Sequence, residues 1–214
     1  MRRVRSLFLF SLVTLFIGPI QSPATDNVVE FPVLAAVRYN DLGVFEVMVM
    51  RWDKKPEPNP IQLQWTLGGV RYGKDHVGSM ANAFDYAVER TPAVPHTGTV
   101  SVQGVTYQPT GSDGPSAGAA MAVGFIAMFK GDRIQRGVAL TGTIEPDGQI
   151  GWVGSIPDKI RAAKREGCHT VLVPRGQIHA GQWNLNELSF ELNITVNEVD
   201  TIDDAYQIMT GSRI

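Results

Sequence analysis

The residues of this chain with the clearest chemical potential surround Ser116, in the segment 112–118. Gly114 accepts backbone angles that other residues avoid and Pro115 fixes its own φ, so the segment is predicted to form a tight turn. The uncharged run 119–129 that follows has the composition of a buried helix. We expect Ser116 in the first turn of that helix, where unpaired backbone N–H groups at the positive end of the helix dipole can stabilise an oxyanion. Serine is also a common helix cap, so the turn alone does not establish a nucleophile.

A serine hydroxyl becomes an effective nucleophile only when a base takes its proton. The histidines, which lie at the edges of predicted elements or in loops and in no zinc-like spacing, are interpreted as surface residues: His76, His96, His169 and His179. Lys159 is the stronger candidate base, because burial lowers the pKa of a lysine towards neutrality and the positive end of its predicted helix disfavours a further positive charge. Its apolar neighbours, which could bury it, are Trp152, Val153, Ile156 and Ile160. On spacing alone, a solvated helix lysine is the alternative.

Hydrophobic periodicity and turn signals predict the elements that must position these two side chains. Strands are predicted at 33–38, 44–51, 61–67, 99–107, 138–142, 150–153, 170–173 and 194–199. Helices are predicted at 79–90, at 119–129, from a cap at 155 to near 167, and at 202–209. Residues 25–30 are predicted to be a short leader, 53–60 an exposed loop, and the segment that begins at 176 irregular at first. A hairpin-rich first part followed by strands that alternate with helices predicts an α+β fold.

The helix that carries Lys159 has a clear start signal. Ser155 is predicted to be its N-cap, Pro157 falls in its first turn, and Asp158 lies three residues after the cap, as in a capping box. Ser79 is predicted in the same way to cap the helix that ends near residue 90. The sequence therefore predicts that each of these two helices begins after a capping serine.

Several short motifs occur in a fixed order along the chain. They are Asp-Gly-Pro-Ser-Ala-Gly at 113–118, Leu-Thr-Gly at 140–142, Gly-Gln-Ile at 148–150, then Gly154, and Lys159 followed by Ala162 and Ala163. With these motifs the chain resembles the proteolytic domain of Lon-type serine peptidases, clearly over 99–174 and more weakly over 33–90. The resemblance implies the α+β, ribosomal protein S5 domain 2-like fold of that domain, with mixed sheets and packed helices. It also implies a serine–lysine dyad of Ser116 and Lys159, which lie at the family's separation of 43 residues.

The resemblance implies four supporting residues for the dyad. Thr141 matches a threonine whose hydroxyl lies near the lysine in the family, although a plain β-branched strand residue is the alternative. Asp113 matches the acidic residue of the nucleophile turn, which could be structural, an ion-pair partner that competes for the lysine, or a gate. Gly114 and the backbone of Ser116 and Ala117 would shape the oxyanion site. The chain departs from the family's usual residues at Ser112, Thr143 and Ser155.

Composition excludes several other classes of function. The 214 residues are enough for one domain with a full core, and 43% hydrophobic and 19% charged residues are typical of a globular protein. The formal net charge of −2, without a basic cluster, argues against nucleic-acid binding. Cys168 is the only cysteine, so an internal disulfide and a cysteine-based metal site are both excluded. We expect no metal and no cofactor.

The first 24 residues have the pattern of a secretory signal peptide. Three arginines precede an uncharged run from residue 7 to residue 20, and Ser22-Pro23-Ala24 supplies small residues for cleavage after Ala24. Cleavage leaves a domain of residues 25–214 with a formal charge of −5. The expected location is periplasmic or secreted, with an uncleaved membrane anchor as the alternative.

The combined expectation is an exported, ATP-independent serine endopeptidase that acts on polypeptides or peptides without an ATPase module. The resemblance also implies a homo-oligomeric ring, and a separate partner chain that delivers substrate is left open. One alternative is a catalytically silent module with the same fold that binds peptides or supports assembly. Another is a small-molecule kinase-like phosphate binder, in which the Gly- and Ser-rich turn before a helix would hold phosphate, but that function leaves Lys159 unexplained. A separate P-loop spacing of Gly68, Gly73 and Lys74 is followed by Asp75, which would repel phosphate.

Overall fold

A computed structural model of the protein describes residues 27–37, 42–66, 71–106, 111–181 and 183–214. The strands in these ranges are β1 Asn27–Val37, β2 Leu42–Asp53, β3 Gln62–Thr66, β4 Arg71–Tyr72, β5 Thr99–Val105, β6 Gly111–Ser112, β7 Val138–Leu140, β8 Thr143–Ile144, β9 Ile150–Gly151, β10 Thr170–Pro174 and β11 Thr195–Val199. The helices are α1 Lys74–Arg90, α2 Gly118–Lys130, α3 Ile156–Arg165, α4 Leu185–Leu192 and α5 Ile202–Thr210. The predicted signal segment 1–24 lies outside the described residues.

A mixed seven-stranded sheet with the order β11-β10-β7-β1-β2-β5-β3 forms the centre of the fold. The β1–β2 and β2–β5 pairs are antiparallel, whereas β3 pairs with β5, β7 pairs with β1 and β10, and β10 pairs with β11 in parallel. The antiparallel pairs come from the first half of the chain, and the parallel pairs of β7, β10 and β11 need the helical crossovers of the second half. This mixed sheet with packed helices confirms the predicted α+β class.

Side chains alternate across the sheet and divide the core into two hydrophobic clusters. In β1, Phe31 and Val33 face a cluster that includes the apolar side chains of α1, α2 and α5, whereas Leu34 faces a cluster with α3 and α4. The apolar run 119–129 is buried along its whole length, because α2 packs against both α1 and the sheet. A helix that is hydrophobic on all sides is stable only in such an enclosed position. The two helical layers therefore cover opposite faces of the sheet.

The position of α3, which carries Lys159, depends on the small size of Gly43 in β2. A Cβ atom added to Gly43 would lie 1.9 Å from the backbone oxygen of Asp158 and 2.9 Å from Cβ of Ala162. In addition, Arg165 Nη2 donates a hydrogen bond of 2.8 Å to the Gly43 oxygen. Glycine at this position therefore allows the helix backbone to contact the strand directly.

Two predicted boundaries were wrong, and one helix was not predicted. Strand β1 already begins at Asn27, where a leader was expected, because its first residues pair with the end of β2. Helix α1 begins at Lys74 rather than after Ser79, and Ser79 is a buried residue within it. The segment that begins at 176 is irregular at first, as expected, but the helix α4 that follows was not predicted. Asn184 caps this helix by accepting a hydrogen bond from the Asn186 N–H.

The capping box predicted for α3 is absent. Ser155 is the N-cap residue, but its backbone adopts the left-handed conformation with φ of 54°, and its side chain makes no capping hydrogen bond. The Asp158 carboxylate instead lies 3.8 Å from the Arg161 guanidinium, one turn along the helix. A capping serine normally has an extended backbone, which is what directs its hydroxyl to the free N–H groups, and the left-handed conformation of Ser155 is incompatible with that geometry.

Neither a membrane-spanning helix nor a metal-binding cluster is present among the described residues. None of the helices described is both long enough and apolar enough to span a bilayer. Within the same residues, no cluster of three or more His, Cys, Asp or Glu side chains could hold a metal ion.

Candidate active site

Ser116 lies in a turn directly before α2. Its backbone oxygen accepts a hydrogen bond of 2.9 Å from the Gly142 N–H, and the oxygen of Pro115 accepts one of 3.0 Å from the Gly118 N–H. The N-cap residue of α2 is Ala117, so Ser116 precedes the helix. The prediction that Ser116 lies within the first helical turn is therefore wrong. This turn fixes the serine backbone between the start of α2 and the segment that follows β7.

Lys159 reaches the same point from the first turn of α3. Its side chain is 3% exposed, and its Nζ donates hydrogen bonds of 2.9 Å to Ser116 Oγ and 3.0 Å to Thr141 Oγ1. The two residues that the sequence singles out as nucleophile and base are therefore in hydrogen-bonding contact. The alternative of a solvated helix lysine is wrong, because the amine is buried.

Burial lowers the pKa of Lys159 from 10.5 to about 8. The cause is the loss of hydration of the ammonium group, and no acidic side chain among the described residues forms an ion pair that would offset it. Two of the four expected apolar neighbours, Ile156 and Ile160, are fully buried. Trp152 instead has 63% of its surface exposed and does not enclose the lysine. A substantial fraction of Lys159 is thus neutral near pH 8.

Thr141 is fully buried and connects the two residues of the candidate dyad. Its Oγ1 accepts the hydrogen bond from Lys159 Nζ and donates one of 3.3 Å to the backbone oxygen of Ser116. Its own N–H donates to the Leu172 oxygen at 3.1 Å, so the neighbouring strand β10 holds its backbone in place. Thr141 therefore restrains both the amine and the serine turn, which an ordinary β-branched strand residue would not do.

Asp113 contacts the N-terminus of α1 rather than Lys159. Its Oδ1 accepts hydrogen bonds of 2.8 Å from the Gly114 N–H, 3.1 Å from the Asp75 N–H and 3.3 Å from the His76 N–H. The N-cap residue of α1 is a glycine without a capping side chain, and Asp113 supplies the missing acceptor from a separate part of the chain. The N–H of Gly114, together with those of His76 and Asp75, holds the pKa of the Asp113 carboxyl below its usual value.

His76 was wrongly assigned to the surface. It is 1% exposed within α1 and stacks on Tyr72 with ring centroids 4.6 Å apart, while the Tyr72 hydroxyl donates to Glu46 Oε1 at 2.7 Å. Burial lowers the pKa of His76 to about 4, in spite of the opposing charge of Asp113, and raises that of Glu46. His76 is consequently a neutral residue that forms part of the wall of the cavity at Ser116.

A cavity of about 210 Å³ opens above Ser116 and Lys159, and it is also lined by Asp113, Gly114 and Ala117. Among the described residues, no acceptor bonds the backbone N–H groups of Ser116 and Ala117. Two adjacent N–H groups at the start of a helix are suited to hold a developing oxyanion.

Comparison of the chain with known protein families identifies the family to which it belongs. The Lon protease (S16) C-terminal proteolytic domain matches residues 99–210, which include Asp113, Ser116, Thr141 and Lys159. The chain belongs to this family. The resemblance seen in the motifs is therefore confirmed.

Individual Lon proteases show similarity over part of this Lon proteolytic domain. Lon protease 2 of Syntrophobacter fumaroxidans is 37% identical over 101 residues, which make up 46% of this chain and 12% of that protein. The Lon protease of Haemophilus influenzae is 35% identical over 97 residues, or 44% of this chain and 12% of that protein. The matched part therefore represents 12% of the length of each relative.

Gln177 also supports the site of this Lon domain, although no sequence motif indicates it. It is 2% exposed, its Oε1 accepts a hydrogen bond of 3.0 Å from the Val153 N–H, and its Nε2 donates one of 2.8 Å to the Val153 oxygen. Gln177 thereby holds the segment that enters α3, three residues before that helix begins. Neither Gln177 nor the Tyr72–Glu46 pair lies in a motif, and only the burial of Gln177 and Glu46 and their hydrogen bonds identify them.

Proposed function

We propose that this chain is a serine endopeptidase that hydrolyses peptide bonds with Ser116 as nucleophile and Lys159 as general base. The observation that carries the proposal is the 2.9 Å contact between Ser116 Oγ and the buried amine of Lys159. Membership of the Lon proteolytic domain family supports the reaction class. The lowered pKa of Lys159 supports its role, because a base must be able to lose its proton near neutral pH.

The reaction begins when neutral Lys159 accepts the proton of Ser116 Oγ, which attacks the carbonyl carbon of the scissile peptide bond. The N–H groups of Ser116 and Ala117 hold the oxyanion that forms on the carbonyl oxygen. The Lys159 ammonium then gives its proton to the leaving amine as the C–N bond breaks, and an acyl-enzyme remains. Water, deprotonated by the same amine, attacks the ester and releases Ser116 with its proton restored.

The supporting residues act through position. The Thr141 hydroxyl directs the Lys159 amine towards Ser116 and restrains the serine backbone. Asp113 attaches the nucleophile turn to the N-terminus of α1, and among its three suggested roles we favour this structural one. Gly114, whose φ of 99° suits glycine, gives the turn its shape.

We further propose that the protein acts outside the cytoplasm, without ATP, on unfolded chains, flexible loops or peptides. The arginine-flanked apolar run within residues 1–24 supports export, after which the enzyme would meet little ATP. Assembly into a homo-oligomeric ring and delivery of substrate by a partner chain are further proposals that rest on the family resemblance.

Cleavage of unfolded casein and of fluorogenic peptides, without ATP, tests the function. The purified protein should cleave both, Ser116→Ala should be inactive, and Ser112→Ala is a matched control that replaces another serine of the same segment. A fluorophosphonate should add its mass to Ser116 in the wild type and in Ser112→Ala. An absence of both cleavage and labelling at Ser116 would refute the proposed peptidase.

A further inference from the structure

An open groove of about 690 Å³ lies beside the cavity of the candidate dyad. One wall is the segment 152–154 that leads towards α3, and the other is formed by residues of 176–181 and by Trp183. Trp152 and Trp183 are the largest side chains of the lining. Gly154 lines both this groove and the cavity that contains Ser116 and Lys159. We call it the Trp152–Trp183 groove. The groove therefore adjoins the site where the chemistry is proposed to occur.

Trp152 has a fixed orientation although most of it is exposed. Its Nε1 donates a hydrogen bond of 2.9 Å to the Arg175 oxygen, and its ring lies against Gly176, where a Cβ atom would be 3.2 Å from the ring. Even so, 63% of the residue is exposed, which is unusual for so large an apolar side chain. An aromatic ring held in this way presents a rigid surface, and little conformational entropy is lost when a ligand contacts it.

The two walls of the groove are connected by hydrogen bonds. Trp183 Nε1 donates to the Gln177 oxygen at 2.8 Å, and the side chain of Gln177 bonds both backbone polar groups of Val153 in the opposite wall. Gln177 is itself buried. The groove is thus formed before any ligand enters, as is common for sites that bind small groups.

The lining favours an apolar ligand. Among the described residues that form the groove, His179 is the only ionisable one, and no lysine, arginine or carboxylate is present. The two indole rings and the glycine-rich loop can make dispersion contacts with an aromatic or branched aliphatic side chain. They provide no counter-ion for a charged side chain.

The position of the groove relative to Lys159 indicates which part of a substrate it would meet. In the proposed mechanism, Lys159 gives its proton to the leaving amine, so the polypeptide beyond that nitrogen must pass the start of the lysine's own helix. Gly154 lies there, and a Cβ atom on it would have no neighbour within 4 Å, so the passage is open.

We propose that the Trp152–Trp183 groove binds an aromatic or aliphatic side chain of the substrate on the leaving-group side of the scissile bond. This inference rests on the proposed peptidase function. It assigns the enzyme a preference for apolar residues that follow the cleavage point, such as unfolded polypeptides expose.

The test uses pairs of quenched fluorescent peptides that are identical before the cleaved bond and carry either Phe or Gly at each of the three positions after it. The wild type should cleave one Phe peptide with a kcat/KM about tenfold above its Gly counterpart. Trp152→Ala should remove this preference through a higher KM, whereas Trp152→Phe should retain most of it. Phe190→Ala, which removes a 90% exposed aromatic residue from α4, is the matched control and should keep the full preference.

Two further measurements separate the outcomes. Fluorophosphonate labelling of Ser116 reports the dyad alone, because the reagent carries no polypeptide leaving group, and a wild type that is neither labelled nor active would overturn the peptidase function itself. A labelled, active wild type whose Phe preference survives Trp152→Ala would overturn the groove assignment alone. A preference that depends on residues before the cleaved bond would also overturn the groove assignment. A changed sedimentation coefficient for Trp152→Ala would overturn it too, because Trp152 would then be a contact between copies of the chain.

Discussion

At the scale of single residues, the candidate site buries a lysine amine, so that little of it is hydrated. Lys159 has hydroxyl partners in Ser116 and Thr141, and the described residues contain no carboxylate that forms an ion pair with it. The arrangement therefore disfavours the charged amine, which costs folding free energy but makes the neutral amine available near neutral pH, as the proposed role of base requires.

The first prediction concerns the dependence of activity on pH. Burial lowers the pKa of Lys159 to about 8, so kcat/KM for peptide cleavage should rise with pH and level off above about pH 8. At pH 6 it should be about 100-fold lower, because the neutral fraction falls tenfold for each pH unit below the pKa. A profile that is flat between about pH 6 and 9 would show that the base is another group.

The second prediction concerns the stability that Lys159 costs. Its pKa is lower in the folded protein than in the unfolded chain, so between about pH 8 and 10.5 the unfolded chain binds the extra proton and stability rises with pH. Below about pH 8 the cost is fully present, at about 3 kcal/mol. Lys159→Met should therefore raise the free energy of unfolding by about 2 kcal/mol at pH 7 and much less at pH 10.

Urea unfolding of the wild type and Lys159→Met at both pH values gives this difference. Lys164→Met is the matched control, because Lys164 lies on the same helix and its amine donates to the Asn193 oxygen at the surface. An equal stability change at pH 7 and pH 10 for Lys159→Met would mean that burial does not lower the pKa of the amine.

The third prediction concerns Thr141. Thr141→Val keeps the shape of the side chain but removes the hydroxyl that contacts Lys159 Nζ and the Ser116 oxygen. We expect kcat to fall by about 10- to 100-fold with little change in KM, since the lost contacts orient the dyad and do not touch substrate. Thr141→Ser retains the hydroxyl and should keep most of the activity. Equal rates for the valine and serine variants would remove Thr141 from the site.

At the scale of elements, the site depends on how closely three of them approach each other. Ser116 precedes α2, Thr141 follows β7, and Lys159 lies in α3. The first two are joined by the Gly142–Ser116 hydrogen bond, whereas α3 reaches them from the opposite face of the sheet. A small displacement of α3 would therefore separate the amine from the serine without any change to either residue.

The fourth prediction tests this dependence with a single methyl group. Gly43→Ala places a Cβ atom 1.9 Å from the Asp158 oxygen, a backbone atom that cannot rotate away, so α3 must move. We expect a loss of about 2 kcal/mol in stability and a larger fall in cleavage per folded molecule. Thermal unfolding and peptide cleavage measure the two effects.

Gly78→Ala is the matched control for this substitution. Gly78 lies within α1, and a Cβ atom there would meet nothing within 4 Å, so the alanine should stabilise the protein by up to about 1 kcal/mol without loss of activity. If Gly43→Ala kept wild-type cleavage per folded molecule, the close approach of α3 to β2 would not be what positions Lys159.

At the scale of the whole molecule, the N-terminal segment is expected to be processed separately from the domain. The fifth prediction is that the exported protein begins at Thr25, because the small residues Ser22 and Ala24 form the cleavage site. Expression in a bacterial host, fractionation and the intact mass of the mature protein measure this. A full-length chain recovered in the membrane fraction would contradict cleavage and indicate the anchored form.

The sequence by itself determined those features that depend on residue type and on spacing along the chain. The alternation of β2, the apolar run of α2 and the order of strands and helices fixed the α+β class, because the burial of apolar faces imposes these periods on any folded chain. The motifs around Ser116, Thr141 and Lys159 indicated the family in the same way, since glycines and reactive side chains are needed at set separations.

Only the tertiary structure decided the features that arise from contacts between distant segments. Asp113 caps a helix that begins 39 residues earlier, which is why α1 starts at Lys74 without a local capping signal. The left-handed backbone of Ser155 and the burial of His76 likewise depend on packing that local sequence does not record. The same holds for the pKa of Lys159, because the hydration of an amine is set by everything that surrounds it in space and not by its neighbours in the chain.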